Sequence, residues 1–407
     1  MSKIGRIAAL DSVRGIAAFI VVIHHCFLTR PVYSDFFFSH WKTPAAGPVS
    51  AILLHTPARI VWAGYEAVTL FYVLSGLVLA LPWVESRPPA YKEFALKRLC
   101  RLYIPYVAII AFAGLLNVAL QPHAYVSGAS KWVNEMTWSQ PVTPFVIFDH
   151  LALIGHHYTI NGVTHTLIWE IRESLLFPLL IVPICRWGVK GALAAGSVLL
   201  ALIVSMQMLG GNMNQIGGLL ELSHSSGLIT RLAFELQWTA YYACFFVVGG
   251  LLATRITRIR RFFGSVGSWL SFVLLLSGLL IFQGHWSQWP VVQESMVAFG
   301  SVLILAAALA PGSIETMLLK KFPRYLGKIS FSLYLVHVPV ILTLTIFTHG
   351  ALSLPMLIAI VAPVSIALAA VFDRLVTAPS AALGHRLAQP RQDSGLMVQP
   401  ALQEGGL

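Results

Sequence analysis

The first apolar stretch of the sequence, ALDSVRGIAAFIVVIHHCFL at residues 9–28, carries ionisable side chains that are costly to place in hydrocarbon. Arg14 and His25 are eleven positions apart. At about 100° per residue, this spacing places both on one face of a helix, about 16 Å apart along its axis. Histidine can remove a proton or act as a nucleophile near neutral pH, and a guanidinium group can bind an anion. The pattern predicts a catalytic or binding face within the membrane.

Two neighbouring residues bear on this interpretation. Asp11 lies one turn before Arg14 and is placed to pair with it, which would lower the cost of burying the charge. His24 points about 80° away from Arg14, so His25 is the aligned histidine. A structural alternative stays open, namely an Arg–Asp ion pair beside a neutral, packed histidine.

Basic residues precede the third apolar segment, in EFALKRLCRLYIP at 93–105. Lys97, Arg98 and Arg101 would suit a phosphate clamp, because guanidinium groups bind phosphate through two parallel hydrogen bonds. The alternative is simple anchoring of the helix by positive charge on the cytoplasmic side.

Further polar groups lie inside later apolar segments. Glu170 and Glu173 lie one turn apart with Arg172 between them, and His337 lies in a segment near the end of the chain. Three ionisable groups in one span are expected to face a cavity or to pair internally. Ser75 lies in the middle of another segment, where packing between helices through small residues is the alternative to a functional role.

The composition assigns these segments to a membrane. The chain has 407 residues, of which 57% are hydrophobic and 11% charged, with a mean hydropathy of +0.76; soluble domains carry about 25% charged residues. We therefore predict an all-α polytopic integral membrane protein. About ten transmembrane helices are expected, because about 20 apolar residues cross a bilayer: 8–28, 61–83, 102–120, 164–185, 189–209, 235–254, 264–283, 293–311, 329–348 and 354–376.

The distribution of Lys and Arg predicts the orientation. Twenty of the 27 fall on the side of the N-terminus and five on the other, so both termini are expected in the cytoplasm. This asymmetry also accounts for the net charge of +11, so the expected partner is the lipid bilayer and no nucleic acid. Residues 1–376 are interpreted as the transmembrane domain. Residues 377–407, rich in Pro, Gln and Gly, are interpreted as a disordered cytoplasmic tail.

A histidine pair in GHHY at 155–158 is the strongest metal-binding candidate. No second cluster at the spacing of metal ligands accompanies it, so no metal site is predicted.

The motifs together resemble those of the membrane acyltransferase 3 family. The stretch LDSVRGIAAFIVVIHH is similar to the family's opening helix, in which an Arg is followed after ten residues by a His, and TLIWEIRESLLFPLL is similar to its fourth-helix pattern, which makes Glu170 the family glutamate. The other stretches that carry the resemblance are FYVLSGLVLA, FALKRLCRLYIPY and LGKISFSLYLVHVP. Five motifs in the expected order, from residue 9 to about 387, make the resemblance specific. One departure is that His165 and Thr166 stand where the family often has Trp.

The resemblance implies transfer of an acyl group, commonly acetyl, from cytoplasmic acyl-CoA to a hydroxyl of a carbohydrate-containing acceptor such as a surface polysaccharide or exported glycan. The enzyme would be a stand-alone multi-pass protein of the inner (cytoplasmic) membrane, with acyl-CoA as its donor substrate and no tightly bound cofactor. It implies His25, Arg14 and Glu170 as catalytic residues. The acyl-CoA-binding residues would be Arg14, Arg98, Arg101 and Lys97, with Asp11, His24, Ser75, His337 and Glu173 as further candidates.

Other functional classes stay open. A proton-coupled secondary transporter or exporter of a glycan or lipid-linked substrate would also place Arg, His and Glu inside membrane helices. A non-catalytic scaffold would leave the alignment of Arg14 with His25 unexplained. A homo-oligomer or an association with polysaccharide-export machinery is compatible with either activity.

Overall fold

The structure is a computed structural model that describes residues 8–39, 44–120, 126–136, 138, 141–155, 159–209, 228–266, 268–287 and 290–388. Its α-helices are α1 (Ala8–Leu28), α2 (Pro31–Phe38), α3 (Pro48–His55), α4 (Gly64–Val84), α5 (Tyr91–Leu120), α6 (Pro144–Leu151), α7 (Thr164–Trp187), α8 (Val189–Met208), α9 (Leu228–Ala253), α10 (Ile256–Val266), α11 (Ser268–Gln283), α12 (Pro290–Leu309), α13 (Ser313–Leu318), α14 (Lys321–Phe347), α15 (Leu354–Phe372) and α16 (Ala378–Leu387). Short 3-10 or π-helical segments cover Pro57–Trp62, Trp132–Met136 and Asp373–Thr377.

A helix lies over each of the ten predicted spans, which confirms an all-α polytopic membrane protein. Within the described residues, 8 helical stretches are long and apolar enough to cross a membrane. The last of these runs through α15 and α16 as Leu354–Leu387. Of the other two predicted spans, α7 carries several charged side chains and α11 has only 16 residues. Helices suit this environment because the backbone satisfies its own hydrogen bonds where lipid offers none.

Helices α1 and α14 pack together in a fixed register. Gly15 lies directly against the backbone of Gly327, with no room for a Cβ atom on either residue. Ten residues further along both helices, the His25 and His337 rings meet. Because both pairs are separated by the same 312 positions, the two helices run in the same direction. Small residues at the contact allow the backbones to approach closely, as is common between membrane helices.

Helices α4 and α9 use a similar contact. Gly76 lies against the backbone of Phe246, and Gly249 lies against the backbone of Val73. Packing between helices through small residues, the alternative considered for Ser75, therefore occurs at its neighbour Gly76. The Ser75 hydroxyl has a different partner, described below.

The segment predicted to be a disordered tail, residues 377–407, begins with an ordered helix. Residues Ala378–Leu387 form α16, and its Gly384 packs against Cys100 and Lys97 of α5. This helix extends ten residues into the segment predicted to be a disordered tail. Residues 389–407 of that segment lie outside the described part of the chain.

Candidate active site

A cleft opens between α1, α4, α5, α7 and α14. Its lining residues come from the first halves of α1, α5, α7 and α14 and from the middle of α4. The starts of α1, α5 and α14 belong to the membrane face that the charge distribution predicts to be cytoplasmic. The polar side chains of the lining are those of Arg14, Tyr72, Ser75, Arg98, Arg101, Thr166, Glu170, Ser330 and Tyr334.

Arg14 is held in the cleft from two sides. One guanidinium nitrogen lies 2.6 Å from an Asp11 carboxylate oxygen, so the predicted ion pair is present. Its Nε donates to the Ser330 hydroxyl at 3.1 Å. The Arg14 side chain is 25% exposed. An ordered and partly accessible guanidinium of this kind can serve an anionic ligand.

The basic residues of α5 divide between the cleft and the protein surface. Arg98 donates to the Ser174 hydroxyl at 2.7 Å and lies 3.7 Å from a Glu170 carboxylate oxygen. Arg101 lines the cleft and is exposed. Lys97 lies outside the cleft lining and pairs with Glu93 across 4.0 Å. Of the three residues predicted to bind phosphate, Arg98 and Arg101 therefore lie in the cleft together with Arg14 of α1, and Lys97 does not.

Glu170 and Glu173, which lie one turn apart on α7, have different surroundings in the folded protein. Glu170 faces the cleft, where it accepts a hydrogen bond from Ser75 at 3.1 Å. Arg172 turns outward to Glu235 of α9 at 2.8 Å and to the Leu153 carbonyl at 2.6 Å. Glu173 is fully buried, and its carboxylate oxygens have no hydrogen-bond partner among the described residues. Glu170 therefore lies with the cations of the cleft and not beside a histidine.

His337 is the histidine that meets His25. His337 Nε2 lies 3.2 Å from His25 Nδ1, and the ring centroids are 4.9 Å apart. Each Nδ1 also faces a carbonyl one turn back in its own helix, that of Val21 at 2.9 Å for His25 and that of Leu333 at 3.1 Å for His337. A carbonyl can only accept, so both rings are expected to carry their proton on Nδ1. This tautomer lets His337 Nε2 accept from His25 and leaves a lone pair on His25 Nε2, which has no hydrogen-bond partner among the described residues.

The remaining histidines and aromatic rings form the surroundings of this pair. His24 turns away, with its Nδ1 2.8 Å from the Trp62 carbonyl and its ring stacked on the Trp62 indole. Trp132 packs against His25, with ring centroids 5.3 Å apart. His165, at the start of α7, is close enough to interact electrostatically with His25. His24 thus has a packing role, whereas His25 remains partly accessible.

The cleft ends close to the histidine pair. Tyr334, which lines the cleft, lies one turn before His337 on α14, and the two ring centroids are 5.8 Å apart. Tyr334 therefore lies between the arginines of the cleft and the histidine pair, which is outside the cleft lining.

Comparison with protein families shows which class of enzyme this protein belongs to. The model of the acyltransferase 3 family, described as an acyltransferase domain, matches residues 7–374. The chain belongs to this family. No protein of curated function and no solved structure matches it. The protein is a multi-pass membrane acyltransferase, and the cleft and histidine pair are its candidate active site.

Several residues that shape the site of this acyltransferase were not among the sequence-based candidates. Ser330 and Tyr334 lie in the stretch LGKISFSLYLVHVP, which carries part of the family resemblance but contributed only His337 to the candidates. Thr166 and His165 had been noted only as a departure from the family pattern. Ser330 and Tyr334 precede His337 by seven and three positions, so helical periodicity places all three on one face. This periodicity is the sequence signal that could have identified them.

Metal binding has no support in the described part of the acyltransferase. None of the described His, Cys, Asp and Glu side chains are grouped so that they could hold a metal ion. His156 and His157, the pair considered above, lie outside the described residues.

Asn161 positions the helix that carries His337. Pro339 cannot donate a backbone hydrogen bond, which leaves the Leu335 carbonyl without its partner in α14. The buried Asn161 side chain supplies the missing donor, with Nδ2 3.0 Å from that carbonyl. The loop before α7 is thereby attached to α14 two residues before the histidine.

We expect Asn161→Ala to destabilise the protein by about 1–3 kcal/mol, because a buried carbonyl loses its only described donor. Adding Pro339→Ala restores a backbone N–H and should recover part of the loss. Thermal unfolding in detergent of the two single variants and the double variant measures this coupling. Additive effects of the two substitutions would contradict the assignment.

Proposed function

We propose that this acyltransferase transfers an acyl group, with acetyl as the first candidate, from cytoplasmic acyl-CoA to a hydroxyl of a carbohydrate-containing acceptor. The observation that carries the proposal is the arrangement of three arginines in one cleft that ends beside His25 and His337. The acceptor would be a surface polysaccharide or exported glycan, and the enzyme would reside in the cytoplasmic membrane.

The donor would bind through its phosphates. Arg98 and Arg101 lie on the first turns of α5, near the membrane face predicted to be cytoplasmic, and Arg14 lies across the cleft on α1. Guanidinium groups bind phosphate strongly in such partly desolvated positions. Glu170, held by Ser75 and near Arg98, would keep that arginine in place. The pantetheine arm would then extend along the cleft toward the histidines.

His25 would act as the general base. Its free Nε2 removes the proton of the acceptor hydroxyl as the oxygen attacks the thioester carbon. The new C–O bond forms, the C–S bond breaks, and the proton passes from His25 to the leaving thiolate of CoA. His337 accepts the Nδ1 hydrogen bond and stabilises the imidazolium, as the third group does in other nucleophile–base arrangements.

The experiment is transfer of labelled acetyl from acetyl-CoA by the purified protein in lipid nanodiscs, with isolated surface glycans as acceptors. Mass spectrometry of the glycans identifies the acylated hydroxyl, and a panel of acyl-CoA thioesters identifies the donor. Label on the glycan supports the proposal. Absence of transfer from every thioester tested would overturn it and favour the exporter alternative.

Arg98→Ala and Arg101→Ala are expected to raise the KM for acyl-CoA by about 10- to 100-fold each, because each removes a charge-assisted hydrogen bond to phosphate worth about 1.5–3 kcal/mol. The kcat should change less than KM. Lys92→Ala, an exposed residue at the start of the same helix, is the matched control and should leave KM unchanged. An unchanged KM in the arginine variants would assign them to membrane anchoring.

A further inference from the structure

The hydroxyl groups of Thr166 and Tyr334 lie at the end of the cleft that is closer to the histidine pair. Thr166 Oγ1 and the Tyr334 hydroxyl oxygen are 2.5 Å apart, and both residues line the cleft. Phe71 packs edge-on against the Tyr334 ring at 5.9 Å between centroids. Tyr334 lies between the cleft, where the donor would bind, and His337. A thioester that reaches His25 from the cleft must therefore pass this hydroxyl.

The hydrogen-bond partners determine which hydroxyl has a proton to offer. Thr166 donates its single hydroxyl proton to the Val163 carbonyl at 2.8 Å. Thr166 therefore accepts from Tyr334 at 2.5 Å, and the Val163 carbonyl, 3.5 Å from the Tyr334 hydroxyl, is a second and more distant acceptor. Tyr72, the other tyrosine of the cleft, donates to the Thr166 carbonyl at 3.0 Å, so its proton is committed to the backbone. Of the two tyrosines, Tyr334 has the proton that can be redirected more readily, because its near acceptor is a hydroxyl and its backbone acceptor lies at 3.5 Å instead of 3.0 Å.

We propose that Tyr334 is a catalytic residue whose hydroxyl donates a hydrogen bond to the thioester carbonyl oxygen as that oxygen becomes negative. The proposal rests on the proposed acyl-CoA-dependent function. In the tetrahedral intermediate the carbonyl π electrons lie on oxygen, and the Tyr334 O–H turns from Thr166 to that oxyanion without transferring its proton. When the C–S bond breaks, the electrons return to the carbonyl and the hydroxyl turns back. Thr166 is a positioning residue that holds the donor ready.

Such a donor is effective here because its surroundings are dry. Tyr334 is 6% exposed and Thr166 is 8% exposed, so water does not compete for the oxyanion. Removing one preorganised donor of this kind costs about 10²–10³ in kcat. The arginines of the cleft are engaged near the donor phosphates in this arrangement, so the carbonyl oxygen relies on Tyr334.

The test compares Tyr334→Phe, Thr166→Val and Thr166→Ser with wild type in nanodiscs, using acetyl-CoA and an acceptor glycan. Both acyl transfer and acceptor-free hydrolysis of acetyl-CoA are followed. Tyr334→Phe keeps the ring that packs on Phe71, and it should lower kcat for both reactions by the same factor, about 10²-fold, at an unchanged donor KM. Thr166→Val should lower kcat less, and Thr166→Ser should restore it. Tyr103→Phe is the matched control, because it removes a tyrosine hydroxyl bonded to the Leu151 carbonyl outside the cleft.

A second measurement separates chemistry from packing. Replacing Tyr334 with 3-fluorotyrosine makes the hydroxyl a stronger donor with almost no change in shape, so kcat should change while donor KM and thermal stability do not. Unaltered kcat in Tyr334→Phe, or an effect confined to donor KM, would overturn the proposal while leaving the function intact. Wild-type protein that transfers no acyl group from any thioester would remove the function and this inference together.

Discussion

Replacing His25 with alanine is expected to lower kcat for acyl transfer by about 10³-fold, within the range that general acid–base groups contribute. His25 Nε2 is the free nitrogen of the histidine pair, and His337 Nε2 serves as the acceptor for the Nδ1 proton of His25. The measurement is single-turnover transfer from labelled acetyl-CoA by variant and wild type at equal amounts of folded protein.

The matched control is His385→Ala, which removes an exposed histidine on α16 and should leave kcat unchanged. Labelling without acceptor distinguishes the two roles that histidine chemistry allows. Label that remains on wild-type protein, and is absent from His25→Ala, would make His25 a transient acyl carrier instead of a base. Near-wild-type turnover in His25→Ala would remove the histidine from the mechanism altogether.

Gly327→Ala is expected to lower kcat about 10²-fold and to destabilise the protein by about 1–3 kcal/mol, although it adds only a methyl group. A Cβ atom at this position meets the backbone of Asp11 and Ser12 in α1, and backbone cannot move aside as a side chain can. Helix α1 must shift against α14. That shift displaces His25 from His337 ten residues along the pair, and displacements of about 1 Å are costly in catalysis.

Gly196→Ala is the matched control, since a Cβ atom at this position on α8 meets nothing within 4 Å. It should be neutral or stabilise the helix by up to about 1 kcal/mol. Thermal unfolding in detergent and the kinetics of acyl transfer should both be measured for the two variants. Equal behaviour of the two would show that the α1–α14 contact does not set the geometry of the site.

The sequence alone was sufficient for properties that depend on short-range patterns. Apolar runs of membrane-spanning length predicted the helices, because in lipid the backbone has few alternatives to helical hydrogen bonding. The 3.6-residue period correctly indicated that Arg14 and His25 face the same partner, which the structure shows to be α14. The Asp11–Arg14 ion pair followed from the same local geometry. The order of five motifs indicated the family, which the match over residues 7–374 confirms.

Only the tertiary structure decided which groups meet across helices. The sequence made Glu170 a catalytic candidate and His337 only a further candidate, whereas the structure places His337 against His25 and holds Glu170 against Ser75 and near Arg98. The period of a helix relates its own residues to each other but does not determine how the helix is rotated against its neighbours. That rotation depends on contacts between residues hundreds of positions apart, such as Gly15 with Gly327. For the same reason, the Tyr334–Thr166 hydroxyl pair became visible only once α7 and α14 were packed together.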